Sequence, residues 1–530
     1  MRTSNENTGG TLIKDRFKKL DMLRNSHLTR ARKCSEVSIP SLIPPENYNE
    51  NDPLPTPYQS MGARCVNNVS SKLLLTMLPP NSPFFKYGVP SNIMDAYVEE
   101  NGEEDFKTNI EKKLRNIEQD IMDYIESEGH RSTFYKLLRL LIVSGNVLLE
   151  MSKDEPVKTH RLDKYVTRRS PAGKPIEIIL REHIDKTEVP EGIDTTKVIA
   201  GSTDGTKTDK KLIELYTHSK KMKDGKWKVT QECCGQPVPN TSGTFKDEDH
   251  PFLAISLNQI EGEDYGRGLV EEYLGDFISL EALNQAVVEG AAAAARILFL
   301  VKPGSSTNWK DVRDARNLSA IAGRRDDIET LQIDKLSDFQ IAYDMINKLE
   351  DRLSRTFLLS DSVQRQAERV TAQEIQYMAR QLEQSMGGIY TTLSQDVQRP
   401  YLMKVVNRMK QNKLLSFNIP EGMKLTITTG FEALGRGHEL TKLDALMDRL
   451  QKLLPNEMLL TTLGRQKVKV LIDKYATAVG IDTDGWIPTK EEIIQQEEEQ
   501  KKAAQAQQIM DNPAAQDIIK DQVKQGGLQQ

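Results

Sequence analysis

Residues able to touch a charged ligand cluster in the segment VQRQAERV, which carries Gln364, Arg365, Gln366 and Arg369. Apart from Ala367, no apolar residue lies between Val363 and Val370. Such a segment has little to bury, so it is expected to face water or a ligand. A surface connection with no role is the alternative. A second group is acidic. The span 269–295 holds Glu271, Glu272, Asp276, Glu281 and Glu289 and contains no Lys or Arg. A basic wall grips a nucleic acid by releasing counterions, whereas an acidic wall repels it weakly and lets it slide. These two groups suggest contact with a polyanion rather than bond-making chemistry.

Patterns that support catalysis are missing. No G-x-x-x-x-G-K-[ST] phosphate loop and no G-x-S-x-G elbow occurs. Gly266-Arg267-Gly268 and Gly435-Arg436-Gly437 do not complete a dinucleotide fingerprint and read as turns or caps. The seven histidines (His27, His130, His160, His183, His218, His250 and His438) show no metal-ligand spacing. The four cysteines, Cys34, Cys65, Cys233 and Cys234, form no C-x-x-C pair and read as free thiols. Acidic doublets such as Glu271-Glu272, Asp326-Asp327 and Glu350-Asp351 read as solvated helix faces. No enzyme activity, cofactor or metal is expected.

The chain has 530 residues, long enough for about three domains. Its 72 basic and 77 acidic residues leave a formal charge of −5, too little to hold nucleic acid by overall charge. The first residues, MRTSNENTGG, lack the apolar core of a secretory signal. The most apolar run, 137–149, is broken by Arg139, Ser144, Gly145 and Asn146, and falls short of the roughly 20 residues of a membrane span. A soluble intracellular protein without a membrane partner is expected.

The elements that must position these residues follow from periodicity. Helices are predicted over 12–34 and 58–77, and over an amphipathic stretch marked by Phe106, Ile110, Leu114, Ile117, Ile121 and Ile125. The run 137–151 reads as buried helix passing into strand. A β-rich module follows over about 159–257, with hairpins at Pro171-Ala172-Gly173 and Asp224-Gly225. One helix is predicted over 269–295, a compact insert over 298–332 and a second helix over 336–358. GAAAAA at 290–295 permits close approach of a neighbour. That neighbour is either part of an ordinary buried helix end or another copy of the helix in a ring. Thr371 and Glu374 form a T-x-x-E capping box that starts a third helix. Its apolar stripe is Ile375, Met378, Leu382, Met386, Ile389, Leu393 and Val397, with bends expected at Gly387-Gly388 and Pro400. A strand at 424–429 precedes further helix to Ala476, and 512–530 reads as disordered. The fold class is α+β, mainly α.

Four blocks carry a family resemblance: TPYQSMGARCVNNVSSKLLLTMLPP (56–80), DYGRGLVEEYLGDFISLEALNQA (264–286), VQRQAERVTAQEIQYMARQLEQSMGGIY (363–390) and TTGFEALGRGHELTKL (428–443). The chain resembles the portal proteins, the head-to-tail connectors of short-tailed double-stranded DNA phages. The resemblance implies a homo-oligomeric ring, a dodecamer of about twelve subunits, at one capsid vertex of the virion. It implies a wing at 1–263, stem helices at 264–297 and 333–358, and a clip at 298–332. It also implies a channel loop at 359–370, a long helix and wing return at 371–430 and crown helices at 431–511. Gln364, Arg365, Gln366 and Arg369 would face double-stranded DNA, and Glu271, Glu272, Asp276, Glu281 and Glu289 would line the stem. The clip would offer Lys310, Arg313, Arg316, Arg324 and Arg325 to the terminase large subunit and later to a tail adaptor or tail tube protein. Major capsid protein and scaffolding protein would be the assembly partners, with assembly in the host cytoplasm. An intracellular helical scaffold that conducts no DNA is the alternative.

Overall fold

A computed structural model describes residues 12–49, 51–80, 83–88, 105–153, 155–190, 192–193, 213–294, 298–304, 307–317, 319–331, 336–359, 382, 392–415 and 424–427. The chain divides into two units, Met1–Gly430 and Phe431–Gln530, and the second lies wholly outside the described residues. The first unit mixes helices with antiparallel sheets.

Its helical core is built on α1 (Ile13–Glu36), α2 (Met61–Met77), α3 (Asp105–Ser127) and α4 (His130–Ser144). The most enclosed is α4, which buries Phe134, Leu137, Leu138 and every residue from Leu140 to Ser144. From Leu137 to Val143 it is apolar apart from Arg139, and a stretch of that kind belongs inside a protein. Gly145 ends it in the left-handed conformation, φ 71°, with its N–H bonded to Leu141 O at 2.8 Å. A Cβ there would lie 2.3 Å from the carbonyl carbon of Arg267, so only glycine fits.

The chain continues directly into β2 (Asn146–Glu150), whose Val147, Leu148 and Leu149 are fully buried. The apolar run of 137–149 is therefore the centre of the core, and no described helix is long and apolar enough to cross a membrane. β2 lies between β10 (Phe252–Ser256) and β3 (Lys158–His160), antiparallel to both. A second, six-stranded sheet runs β4 (Tyr165–Arg169), β5 (Pro175–Ile184), β6 (Ile213–Lys221), β7 (Trp227–Cys233), β8 (Gln236–Pro237), with β9 (Gly243–Phe245) also on β7. Both expected hairpins are present. Gly173 and Gly225 take φ of 76° and 84° in their turns, a region that glycine enters without steric cost. The amphipathic α1 lays Phe17 and Leu20 against Val166, Ile179 and Tyr216 of this sheet. Its buried Arg24 donates to the carbonyls of Leu162 and Tyr165 at 2.5 and 2.6 Å.

After β10 come the short α5 (Leu269–Glu272) and the long α6 (Leu274–Ala294). One helix was expected over this span. It breaks at Tyr273, whose φ of −110° and ψ of 16° leave the helical region while its ring packs on Phe357 at 5.6 Å. Then β11 (Leu298–Val301) pairs with β12 (Ile328–Leu331), with α7 (Trp309–Asp314) between them in sequence. The chain returns through α8 (Leu336–Thr356), which packs along α6.

Of the third helix's stripe, the described Leu382, Leu393 and Val397 are buried. A π-helical turn at Ser394–Gln398 leads into α9 (Arg399–Gln411), where Pro400 sits in the first turn. Proline cannot donate a backbone bond, and a local irregularity at this point is its usual accompaniment. Finally β13 (Lys424–Ile427) pairs antiparallel with β1 (Phe85–Gly88), placing Ile427 opposite Phe85.

Candidate functional site

The candidate site is the α6–α8 pair and what holds its ends. Its root is fixed by backbone packed at close range. Asn146 Nδ2 donates to Gly266 O and its Oδ1 accepts from Gly266 N, both at 2.8 Å. Cβ atoms at Gly266 and Gly268 would lie 1.9 Å from Leu257 O and 2.5 Å from Val143 O. Gly266-Arg267-Gly268 is thus a packing and capping element, with Gly268 as the N-cap of α5. Arg267 reaches Glu271 at 3.3 Å, and Arg30 of α1 reaches the same carboxylate at 3.1 Å.

The other acidic residues are likewise engaged. Glu272 is exposed and accepts from Asn258 Nδ2 at 2.6 Å. Asp276 pairs with Arg352 of α8. Glu281 accepts the backbone N–H groups of Tyr58 and Gln59 at 2.7 and 3.4 Å. Glu289 accepts from the Tyr58 hydroxyl at 3.2 Å and from Gln285 at 2.9 Å. The bond to Glu289 raises the Tyr58 hydroxyl pKa. Residues 58–60 are therefore not the first turn of α2, as the sequence suggested, but a strap along α6.

Gly290 meets a neighbour within the same chain. A Cβ at this position would sit 2.5 Å from Phe339 Cε1 of α8. Beyond such contacts α6 is poorly covered, burying only Phe277 and Leu280 among its described side chains. Ile278 and Val288 are 48% and 52% exposed, and Ile341, Tyr343 and Met345 of α8 are 64%, 60% and 46% exposed.

At its far end α8 is closed by a clamp. Leu359 N–H bonds Ser354 O at 2.7 Å and Leu358 N–H bonds Arg355 O at 3.3 Å. With Leu358 at φ 56°, this is a Schellman-type ending in which a leucine occupies the usual glycine position. Asn68 Nδ2 donates to the carbonyls of Phe357 and Leu358 at 2.9 Å each, and Lys72 Nζ donates to Leu358 O. Burial lowers the Lys72 pKa. A cation at a helix C-terminus is favourable because the last carbonyls carry partial negative charge. Sequence reading missed both α2 residues. The available signal was a lone lysine directly before Leu73-Leu74-Leu75 in an otherwise apolar helix end.

Of the basic residues in the insert, Lys310, Arg313, Arg316 and Arg324 are exposed. Arg313 contacts Asp314 at 2.8 Å. The Arg325 side chain lies outside the described residues, as do Gln364, Arg365, Gln366 and Arg369. Elsewhere, Ser219 Oγ and His250 Nε2 lie 2.5 Å apart, which resembles a nucleophile–base pair. Both are sealed, at 0% and 3% exposure, so no substrate reaches them.

A sequence profile described as "Bacteriophage head to tail connecting protein" matches residues 11–487. The portal protein of Enterobacteria phage T3 is 33% identical over 511 residues, 95% of this chain and 91% of the relative. That of Escherichia phage T7 is 34% identical over 511 residues, 94% and 91% of the two chains. The portal protein of Enterobacteria phage SP6 is 29% identical over 429 residues, 81% of each. With the profile spanning most of its length and the α6–α8 pair inside it, the chain belongs to the bacteriophage head to tail connecting protein family.

Proposed function

We propose that this protein is the subunit of a head-to-tail connector, a closed ring at one capsid vertex whose axial channel passes double-stranded DNA during packaging and ejection. The observation that carries the ring is α6, which leaves Ile278 and Val288 about half exposed and buries only Phe277 and Leu280 among its described side chains. A helix of that kind is stable in water when neighbours cover it. Copies of the α6–α8 pair supply that cover, and cyclic symmetry repeats one interface without leaving a free edge. A helical scaffold that conducts no DNA is the weaker reading, because it gives no role to a family named for joining head to tail.

Within this reading, 1–263 forms the wing, α6 and α8 the stem, 298–332 the clip, 359–370 the channel loop and 431–511 the crown. Glu271, Glu272, Asp276, Glu281 and Glu289 set a negative stem. Arg30 and Arg267 offset Glu271 and Arg352 offsets Asp276, so the charge left to act on DNA is that of Glu272, Glu281 and Glu289, whose donors are neutral. Lys310, Arg313, Arg316 and Arg324 present positive charge on the clip, suited to an acidic face of the packaging motor and then of a tail adaptor. Gln364, Arg365, Gln366 and Arg369 ring the constriction. The protein itself is structural rather than catalytic. The test is DNA content in particles assembled with the Arg365→Ala/Arg369→Ala chain. Rings that form normally but package or retain less DNA are expected. Unaltered DNA content removes the loop from the account.

A further inference from the structure

The three-stranded and six-stranded sheets meet at a group of side chains that the proposed channel does not use. Glu150 ends β2, His160 ends β3, and Glu182 lies in β5 of the other sheet. Pairing of Glu150 with Lys158 and of Leu148 with His160 sets Glu150 and His160 diagonally on one face. One ligand atom from each residue, two carboxylate oxygens and a ring nitrogen, lies within 4.8 Å of the other two. His160 Nε2 is 2.7 Å from Glu150 Oε2, and these two side chains are only 12% and 13% exposed.

Two carboxylates this close, and largely out of water, repel one another. No hydrogen bond from a described residue reaches the Glu182 carboxylate. The Lys158 ammonium is held instead by Glu155 at 2.6 Å. Glu150 faces His160 and also accepts from Ser152 Oγ at 3.4 Å, so Glu182 is the carboxylate of the group that lacks a donor among the described residues.

We propose that Glu150, His160 and Glu182 bind a divalent transition-metal ion, best matched by Zn²⁺, which clips the two sheets together. One imidazole nitrogen with two carboxylate oxygens is a borderline donor set that favours Zn²⁺ over Mg²⁺ or Ca²⁺, which prefer oxygen alone. Zinc bonds of about 2.0–2.2 Å in tetrahedral array place ligand atoms roughly 3.4 Å apart. Reaching that value opens the His160–Glu150 pair from 2.7 Å and closes the widest separation, at most 4.8 Å, by up to about 1.4 Å. The ion takes the place of the direct His160–Glu150 contact, and water completes the fourth position. The sequence hid this group because its ligands sit on three separate strands and follow no metal-motif spacing.

The test uses the full-length chain, stripped with chelator and titrated with Zn²⁺ by calorimetry, with Co²⁺ absorption as a second readout. Binding of one Zn²⁺ per chain is expected, with a thermal midpoint that rises by several degrees at saturation. Glu182→Gln and His160→Gln are expected to bind at least tenfold more weakly and to lose that rise. Wild-type Co²⁺ bands of tetrahedral nitrogen–oxygen type support the site even where a variant fails to fold. An aqua-ion Co²⁺ spectrum overturns the proposal, as does zinc binding that is unchanged in a folded variant.

Discussion

Lys72 Nζ lies 2.5 Å from the carbonyl oxygen of Leu358, joining residues 286 positions apart. The bond fixes where α8 ends and where the segment bearing the loop arginines must begin. Lys72 is 5% exposed, so its charge is tolerated only because it meets the carbonyl end of a helix. Lys72→Met keeps the apolar stem of the side chain and removes the donor. A loss of about 1–3 kcal/mol is expected in urea unfolding, since Asn68 alone then serves the Leu358 carbonyl. An unchanged midpoint would mean that the clamp does not hold α8.

Gly290 sets the spacing of the two long helices. Gly290→Leu forces its side chain into Phe339, and overpacking of this kind costs about 1–3 kcal/mol. Phe339→Ala in the same chain should recover part of that loss, giving a measurable coupling in a double-mutant cycle. Additive losses would place the strain elsewhere.

Val288→Glu tests the exposed stem face. Because Val288 is 52% exposed in one chain, the monomer's unfolding should change by no more than about 0.5 kcal/mol. Assembly should suffer instead, because a charge buried between copies has no partner there. Sedimentation velocity is expected to show smaller species; intact assemblies would remove Val288 from the interface.

Two histidines make the fold acid-sensitive. Burial first, then the Arg408 charge, lowers the His130 pKa to about 4. Burial and then the Lys404 charge lower that of His250 to about 3. Their unfolded values lie near 6.5, so below that pH the unfolded chain binds more protons and stability falls with pH. The loss runs from about pH 6.5 down through pH 4 for His130 and on to about 3 for His250. Roughly 2 kcal/mol per histidine is expected by pH 5, at about 1.4 kcal/mol per unit. Unfolding midpoints at pH 7 and pH 5 measure it, and His250→Gln should show a flatter dependence. Equal slopes for variant and wild type would count against this cause.

Much of the frame was legible because local rules governed it. Stripes at spacings of three and four gave the helices, and Gly173 and Gly225 gave the hairpins through the backbone freedom their turns need. The break at Tyr273 was hidden, since the apolar pattern runs on through it and only the contact with Phe357 sets it apart. The acidic residues were visible as charges but not as partners. Glu281 binds backbone 223 positions away, and nothing near it in sequence announces Tyr58. Long-range pairs such as Lys72 with Leu358 are products of topology, which a single sequence does not display.

The central claim is that the α6–α8 pair closes into a ring with an axial passage. Electron microscopy of the purified wild-type protein, with its mass measured in solution, tests this most directly. Closed rings with a central hole, of about twelve subunits, are predicted. Monomers, open fibres or compact particles without a hole would contradict it.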